Sequence, residues 1–176
     1  MKITIFGLAG TGTSSTGKEL AVVLGYPFAS GGDMGRLTAS ELGITLNELE
    51  ELSKKDKKYD LLRDEHLKQF GQTHSNCVIE ARLGWFNVPD SFKVKLICPD
   101  EVRLVRIMKR ENKSLDQVKE ETVSREQAIR ERFKNYYNLD FDYETRDEVF
   151  DLVIDTSQHP IEEVIVMIRQ KVIDEN

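Results

Sequence analysis

Between Gly7 and Leu20 the chain reads GLAGTGTSSTGKEL. Gly7 and Gly12 bracket four residues, and Ser14 stands where a phosphate-binding loop places its hydroxyl, but Thr13 occupies the position at which that pattern carries lysine. Such a stretch does its chemistry with the backbone. Successive N–H groups of a glycine-rich turn point inward at an anion, and the helix that follows adds its unsatisfied N-terminal amides and the positive end of its dipole. In this register Gly7, Gly10, Thr11, Gly12, Thr13, Ser14 and Ser15 form the cradle, directly after the apolar run ITIF, with a helix starting at Ser14 or Ser15. A second register, Gly12-TSST-Gly17-Lys18, recovers a lysine but puts Glu19 at the hydroxyl position and leaves five residues between strand and loop. The plain alternative to both is a flexible Gly/Thr/Ser turn without a ligand.

Without lysine at position 13 the phosphates lose a point charge that grips them and stabilises the transferring group. Lys18 is the next basic residue; five positions along a helix put it about 140° around and ~7.5 Å further from the loop, so it reaches the site only with help. Arginine from elsewhere in the chain is the better substitute. Arg125, Arg130 and Arg132 lie in one long helical segment, where Glu121 precedes Arg125 by four residues and Glu126 precedes Arg130 by four, the spacing of solvated helix pairs. Arg132 has no acid three or four residues away and is the first to be assigned to a ligand; Arg125 follows because seven residues place both on one face. Arg106 and Arg110, four apart, repel unless an anion lies between them.

A second set gathers at strand ends, where ligands of open α/β sheets bind: Asp33 and Arg36 in SGGDMGR, Glu80 and Arg82 in VIEARLGWF, and more weakly Arg63 in YDLLRDEH. Two arginines so placed can hold a second phosphate by paired hydrogen bonds. Each has a bland counterpart: Asp33 as a helix cap, Arg36 as an exposed helix-start residue, Arg82 as a partner of a neighbouring acid. Trp85, Phe133, Tyr136 and Tyr137 read as packing rather than a base-stacking platform. His66, His74 and His159 lack metal spacing and receive no chemistry.

These residues need a frame to hold them. Short apolar runs bounded by Gly, Pro or Asp, namely ITIF (3–6), CVIE (77–80), VKLIC (94–98), FDLVID (150–155) and a shorter YPFAS (26–30), read as strands of a parallel sheet, and helical periodicity fills the gaps between them. An α/β fold with crossover connections follows. Capping boxes at Thr45/Glu48 and Ser114/Gln117 mark two helix starts, the first inside a polar helical insert at about 34–72, the second opening the long charged helix. The 176 residues suit a single domain. A net charge of −6 argues against a general nucleic-acid or anionic-membrane surface. Cys77 and Cys98, each in an apolar run, read as small hydrophobes in a reducing compartment. With no cleavable leader and no apolar stretch near 18 residues, a soluble cytoplasmic protein is expected.

In order and spacing, KITIFGLAGTG, SGGDMGRL, ITLNELEEL, VIEARLGWF, VKLICPDEVRLVRIMKRE, TVSREQAIRERF, NYYNLDF and FDLVIDTS resemble the short cytidylate kinases of archaea and some bacteria, a branch of the P-loop nucleoside monophosphate kinases. The resemblance covers nearly the whole chain. It implies a five-stranded parallel sheet flanked by helices in three layers, with an acceptor-binding insert at about 34–72 and a lid at about 111–140. It implies ATP as donor on Gly7 to Ser15, Mg2+ on the Ser14 hydroxyl, and CMP or dCMP as acceptor on Asp33, Arg36, Arg63 and Arg82. Arg125 and Arg132 would come from the lid onto the transferring phosphate, with Lys18 as a further basic candidate, and Asp155 to Ser157 would lie near the adenine. A monomer acting on small nucleotides, with no nucleic acid and no membrane as partner, is the expectation. Two departures bear on it: Thr13 stands in place of lysine, and Ala81 stands in place of a glycine between Glu80 and Arg82. A kinase of another small metabolite and a nucleotide-binding protein without turnover remain the alternatives.

Overall fold

The computed structural model describes residues 1–174. In chain order the elements are β1 (Lys2–Gly7), α1 (Thr13–Leu24), β2 (Phe28–Ser30), α2 (Gly31–Glu41), α3 (Leu46–Ser53), α4 (Lys58–Thr73), β3 (Cys77–Glu80), α5 (Gly84–Asn87), β4 (Phe92–Ile97), α6 (Asp100–Glu111), α7 (Leu115–Tyr137), α8 (Phe141–Glu144), a 3-10 turn (Asp147–Val149), β5 (Leu152–Asp155) and α9 (Ile161–Asp174). All five expected strands form. They make one parallel sheet in the order β2-β3-β1-β4-β5. Between them the expected helices run as anticipated, and the short α5, α8 and 3-10 turn add to them.

Alternation along the strands divides the core between the two faces of the sheet. Ile3 and Ile5 of β1, Val78 of β3 and Phe92, Val94 and Leu96 of β4 pack with Leu20 and Ala21 of α1 and with Val164, Ile168 and Val172 of α9. Phe6 points the other way, into an aromatic cluster with Trp85, Phe133, Phe141 and Phe150. Cys77 and Ile79, on that same alternate phase of β3, join Met34, Leu67 and Val88. This is why the strands read as continuous apolar runs: both faces are covered.

Register aligns the carboxyl ends of the strands. Ser30 and Ile5 both lie beside Glu80, Gly7 beside Leu96, and Ile97 beside Asp155. From β1 the chain turns first toward β3 and β2, then crosses to β4 and β5, so the crevice at the end of β1 is the topological switch point of the sheet. Both anticipated capping boxes form, Thr45 with Glu48 and Ser114 with Gln117. A third, Ser30 with Asp33, starts α2 at Gly31, three residues before the expected beginning of the insert.

Ile168 on α9 is fully buried against the sheet face opposite the aromatic cluster. Ile168→Ala is expected to cost about 2–5 kcal/mol of unfolding free energy, read by urea denaturation.

Candidate active site

The turn after β1 is open because its own groups are tied back behind it. The amide and hydroxyl of Thr11 both donate to the Leu8 carbonyl, at 3.2 and 2.8 Å, and the Thr156 hydroxyl donates to the Thr11 carbonyl at 2.9 Å. Gly10 and Gly12 hold φ of 86° and 92°, which only glycine adopts without strain. A Cβ on Gly10 would also stand 2.5 Å from the Arg103 carbonyl oxygen. Gly12 caps α1 with no side-chain hydrogen bond, so the first amides of the helix are left to an external acceptor. Above the turn lies a cleft of about 370 Å3 lined by the loop, by Glu80, Ala81 and Arg82, by Arg106 and Arg110 of α6, and by Arg125 of α7.

Tertiary contacts redistribute the arginines. Glu121, the expected partner of Arg125, pairs instead with Lys113 at 2.6 Å, and Glu126, the expected partner of Arg130, pairs with Arg103 at 2.7 Å. Arg130 turns to Asp142 at 3.1 Å. Arg125 is thereby released into the cleft, and among the described residues no carboxylate pairs with it. Arg82, partly buried at the end of β3, also pairs with none; burial, and then the nearby positive charge of Arg125, push its pKa down to about 10. Two guanidinium groups pressing on one another without a counterion mark a place for an anion.

Arg132 corrects the order of preference drawn from the sequence. Its acids come from α4 rather than from its own helix: Asp64 at 2.7 Å and Asp60 at 3.3 Å. The Tyr137 hydroxyl donates to the same Asp64 oxygen, and Asp60, whose carboxyl is raised chiefly by burial and lowered in turn by Arg132 and Arg63, completes the cluster. Arg132 thus bridges α7 to α4 and does not line the cleft. Its neighbour Arg63, also paired with Glu50 at 3.0 Å, lies over Gly35 of α2. Arg36 is exposed and paired with Asp33 at 2.5 Å, while Asp33 closes the α2 capping box. Lys18 is exposed on α1, outside the cleft lining, and among the described residues makes no ion pair that would draw it over the loop.

Arg103, which the sequence does not single out, and Glu80, read from it as a strand-end residue, complete the site. Arg103 is buried, donating to the Ala9 carbonyl at 3.3 Å while paired with Asp100 and Glu126, so it anchors the loop to α7. Its sequence signal, Asp100 three residues earlier, is that of a surface pair and conceals its burial. Glu80 accepts hydrogen bonds from Thr13 at 3.0 Å and Ser14 at 3.3 Å. A carboxylate beside a serine oxygen is a hard-oxygen donor set suited to Mg2+, which keeps several waters and takes its remaining ligands from substrate phosphates. Among the described residues no larger cluster of metal-ligating side chains exists.

Five parallel strands in this order, with a glycine-rich phosphate loop at the switch point, define the P-loop kinase class of fold. Solved structures agree: the chain superposes on an uncharacterized protein from Eubacterium ventriosum with a TM-score of 0.72 at 18% identity, covering 100% of this chain and 99% of that one. Shikimate kinase from Acinetobacter baumannii matches with a TM-score of 0.63 at 20% identity, covering 99% and 94%. The sequence is more specific. The profile of the cytidylate kinase-like family matches residues 2–158, and the chain belongs to that family. It is 36% identical to the cytidylate kinase of Methanosphaera stadtmanae over 97% of this chain and 96% of that protein, and 36% identical to that of Archaeoglobus fulgidus over 98% and 94%.

Arg82→Met is expected to raise the melting temperature of the ligand-free protein, because it removes a charge held at a disfavoured site, and to abolish the stabilisation that sulfate gives the wild type; thermal shift with and without sulfate reads both. Arg125→Ala and Arg132→Ala should separate. The first lowers turnover at least ~10-fold, ~1.4 kcal/mol of barrier, with unchanged unfolding. The second loses about 2 kcal/mol of stability, less than a fully buried pair because its guanidinium is partly exposed.

Proposed function

We propose that the protein transfers the γ-phosphoryl group of ATP to a nucleoside monophosphate, with CMP and dCMP preferred. The observation that carries this reading is the pairing of family membership over most of the chain with an open phosphate loop faced by counterion-free arginines. ATP lies with its phosphates on the amides of Gly7 to Ser15 and its adenine toward Arg106 and the turn at Thr156 and Ser157. Arg106 is already held there, donating to the Thr156 hydroxyl at 3.0 Å and its carbonyl at 2.8 Å.

The acceptor's phosphate is held by Arg82 and Arg36, the latter aimed by Asp33. α2 to α4 form the acceptor-binding insert, and Ala81 at the cleft wall narrows its mouth. Arg63 holds α4 to α3 within the insert, and the Arg132–Asp64–Tyr137 cluster ties the insert to α7, the lid, so that both covers close on the same substrate pair. An ionised oxygen of the acceptor phosphate attacks the γ-phosphorus in line; a new P–O bond forms as the bond to the ADP oxygen breaks, and no general base is required. Arg125 and Arg82 supply the positive charge that a loop lysine would otherwise bring, with Arg110, paired with Glu111 at 2.7 Å, also lining the cleft, in a site from which the helical covers exclude water. Ser14 and Glu80 would hold Mg2+ together with ATP, and the ion would there neutralise phosphate charge. Lys18 has no part in this arrangement.

Nothing in the cleft or its charge requires a second copy of the chain, and a monomer is proposed. Among the described residues no helix is long and apolar enough to cross a membrane, and a cytoplasmic place accords with two free cysteines. A coupled ADP-release assay across the common nucleoside monophosphates tests the reading: CMP and dCMP are expected to be turned over with kcat/KM at least ~10-fold above AMP, GMP and UMP. ADP release only with a non-nucleotide acceptor, or ATP binding with no ADP above background, would overturn it.

A further inference from the structure

The replacement of lysine at position 13 has a counterpart across the cleft. Thr13 is the first residue of α1, and its methyl group packs against the backbone of Gly7, where a Cβ would come within 2.8 Å of it. A β-branched side chain is restricted at χ1, and with its methyl so placed the hydroxyl donates to Oε1 of Glu80 at 3.0 Å. Ser14 donates to the other oxygen, Oε2, at 3.3 Å. Glu80 itself is fixed from behind: it ends β3 alongside both β1 and β2, and its Cβ lies 3.4 Å from the position a Cβ on Gly17 would take. Both carboxylate oxygens are therefore oriented by neutral donors. Among the described residues no lysine, arginine or histidine lies within ion-pair distance of it, although four arginines line the same cleft.

We propose that Thr13 is a positioning residue for a divalent cation: its hydroxyl aims the Glu80 carboxylate at the cation that Ser14 and the polyphosphate also bind. The proposal rests on the ATP reading above and adds a division of charge within it. The phosphate loop carries no cation of its own, so that Glu80 is held by neutral donors and stays free to face a divalent ion, while guanidinium groups from the end of β3 and from α6 and α7 face the phosphates. A lysine at position 13 would replace the hydroxyl that holds Glu80 with an aliphatic stem and bring an ammonium into the cleft to compete with the divalent ion for that carboxylate. Threonine supplies the orientation without the charge.

The test is Mn2+ binding to the full-length protein, followed by electron paramagnetic resonance, with a saturating non-hydrolysable ATP analogue present. Thr13→Val keeps the branched shape and removes the donor; it is expected to weaken Mn2+ at least ~10-fold, ~1.4 kcal/mol. Thr13→Ser, which keeps the hydroxyl, is expected to hold the wild-type value. Because Thr13 acts through Glu80, Thr13→Val should add nothing in a Glu80→Gln background. Calorimetry of the same analogue in EDTA should give equal affinity for Thr13→Val and wild type. Wild-type Mn2+ affinity in Thr13→Val, additive losses in the double variant, or an equal loss of nucleotide affinity in EDTA, as a direct phosphate contact would produce, each overturn the proposal while leaving the ATP reading in place. Failure of the wild type to bind the analogue at all removes both.

Discussion

Everything at this site depends on positive charge that the protein does not neutralise. Arg82 and Arg125 come from different elements, stand close enough for one to depress the ionisation of the other, and form no ion pair with a carboxylate among the described residues, although the fields of Glu80 and Glu126 partly offset the strain at Arg82. Like charges held together cost folding free energy. Here that cost is borne by a sheet whose two faces are both packed, so the strand ends can be held in an arrangement they would not choose alone. The cost is recovered when a polyanion enters.

Keeping those arginines unpaired is an active feature of the surrounding charges, since α7 is rich in acid. Two of its glutamates are engaged elsewhere: Glu121 by Lys113 beyond the α6 terminus, Glu126 by the buried Arg103. An exposed pair four residues apart on a helix is worth only about 0.3–0.5 kcal/mol, and a partner that brings burial or a second hydrogen bond easily outcompetes it. Arg103 does so, because the same guanidinium also donates to the Ala9 carbonyl. One buried arginine thus anchors the phosphate loop and draws Glu126 away from Arg130, which turns to Asp142 instead.

The loop itself is built by subtraction. Thr11 turns its hydroxyl and amide back onto Leu8, Thr156 holds the Thr11 carbonyl, and Gly10 and Gly12 take left-handed backbone angles, so what remains on the cleft side is main chain. The helix dipole and the open amides of α1 then act on any anion without a side-chain charge. That arrangement explains how a phosphate loop tolerates threonine at position 13: the backbone does the cradling, and the hydroxyl is free to hold Glu80.

Much of this was legible in the amino-acid sequence, and for a common reason. The five strands, the two capping boxes, the long α7 and the glycine turn after β1 depend on near neighbours in the chain: apolar runs, a Ser or Thr three residues before Glu or Gln, glycines at fixed spacing. Which arginine serves a ligand is a different kind of question. Arg132 looked free because its own helix offers it no acid, yet Asp60 and Asp64 reach it from 68 and more residues away; Arg125 looked paired, yet its acid left. Lys18 looked near in sequence and points to solvent. Charge pairing between distant segments is decided by which helices the sheet brings side by side, and the energies that separate one partner from another are smaller than those of burial, so local spacing fixes the elements while only the folded chain settles where the charges go.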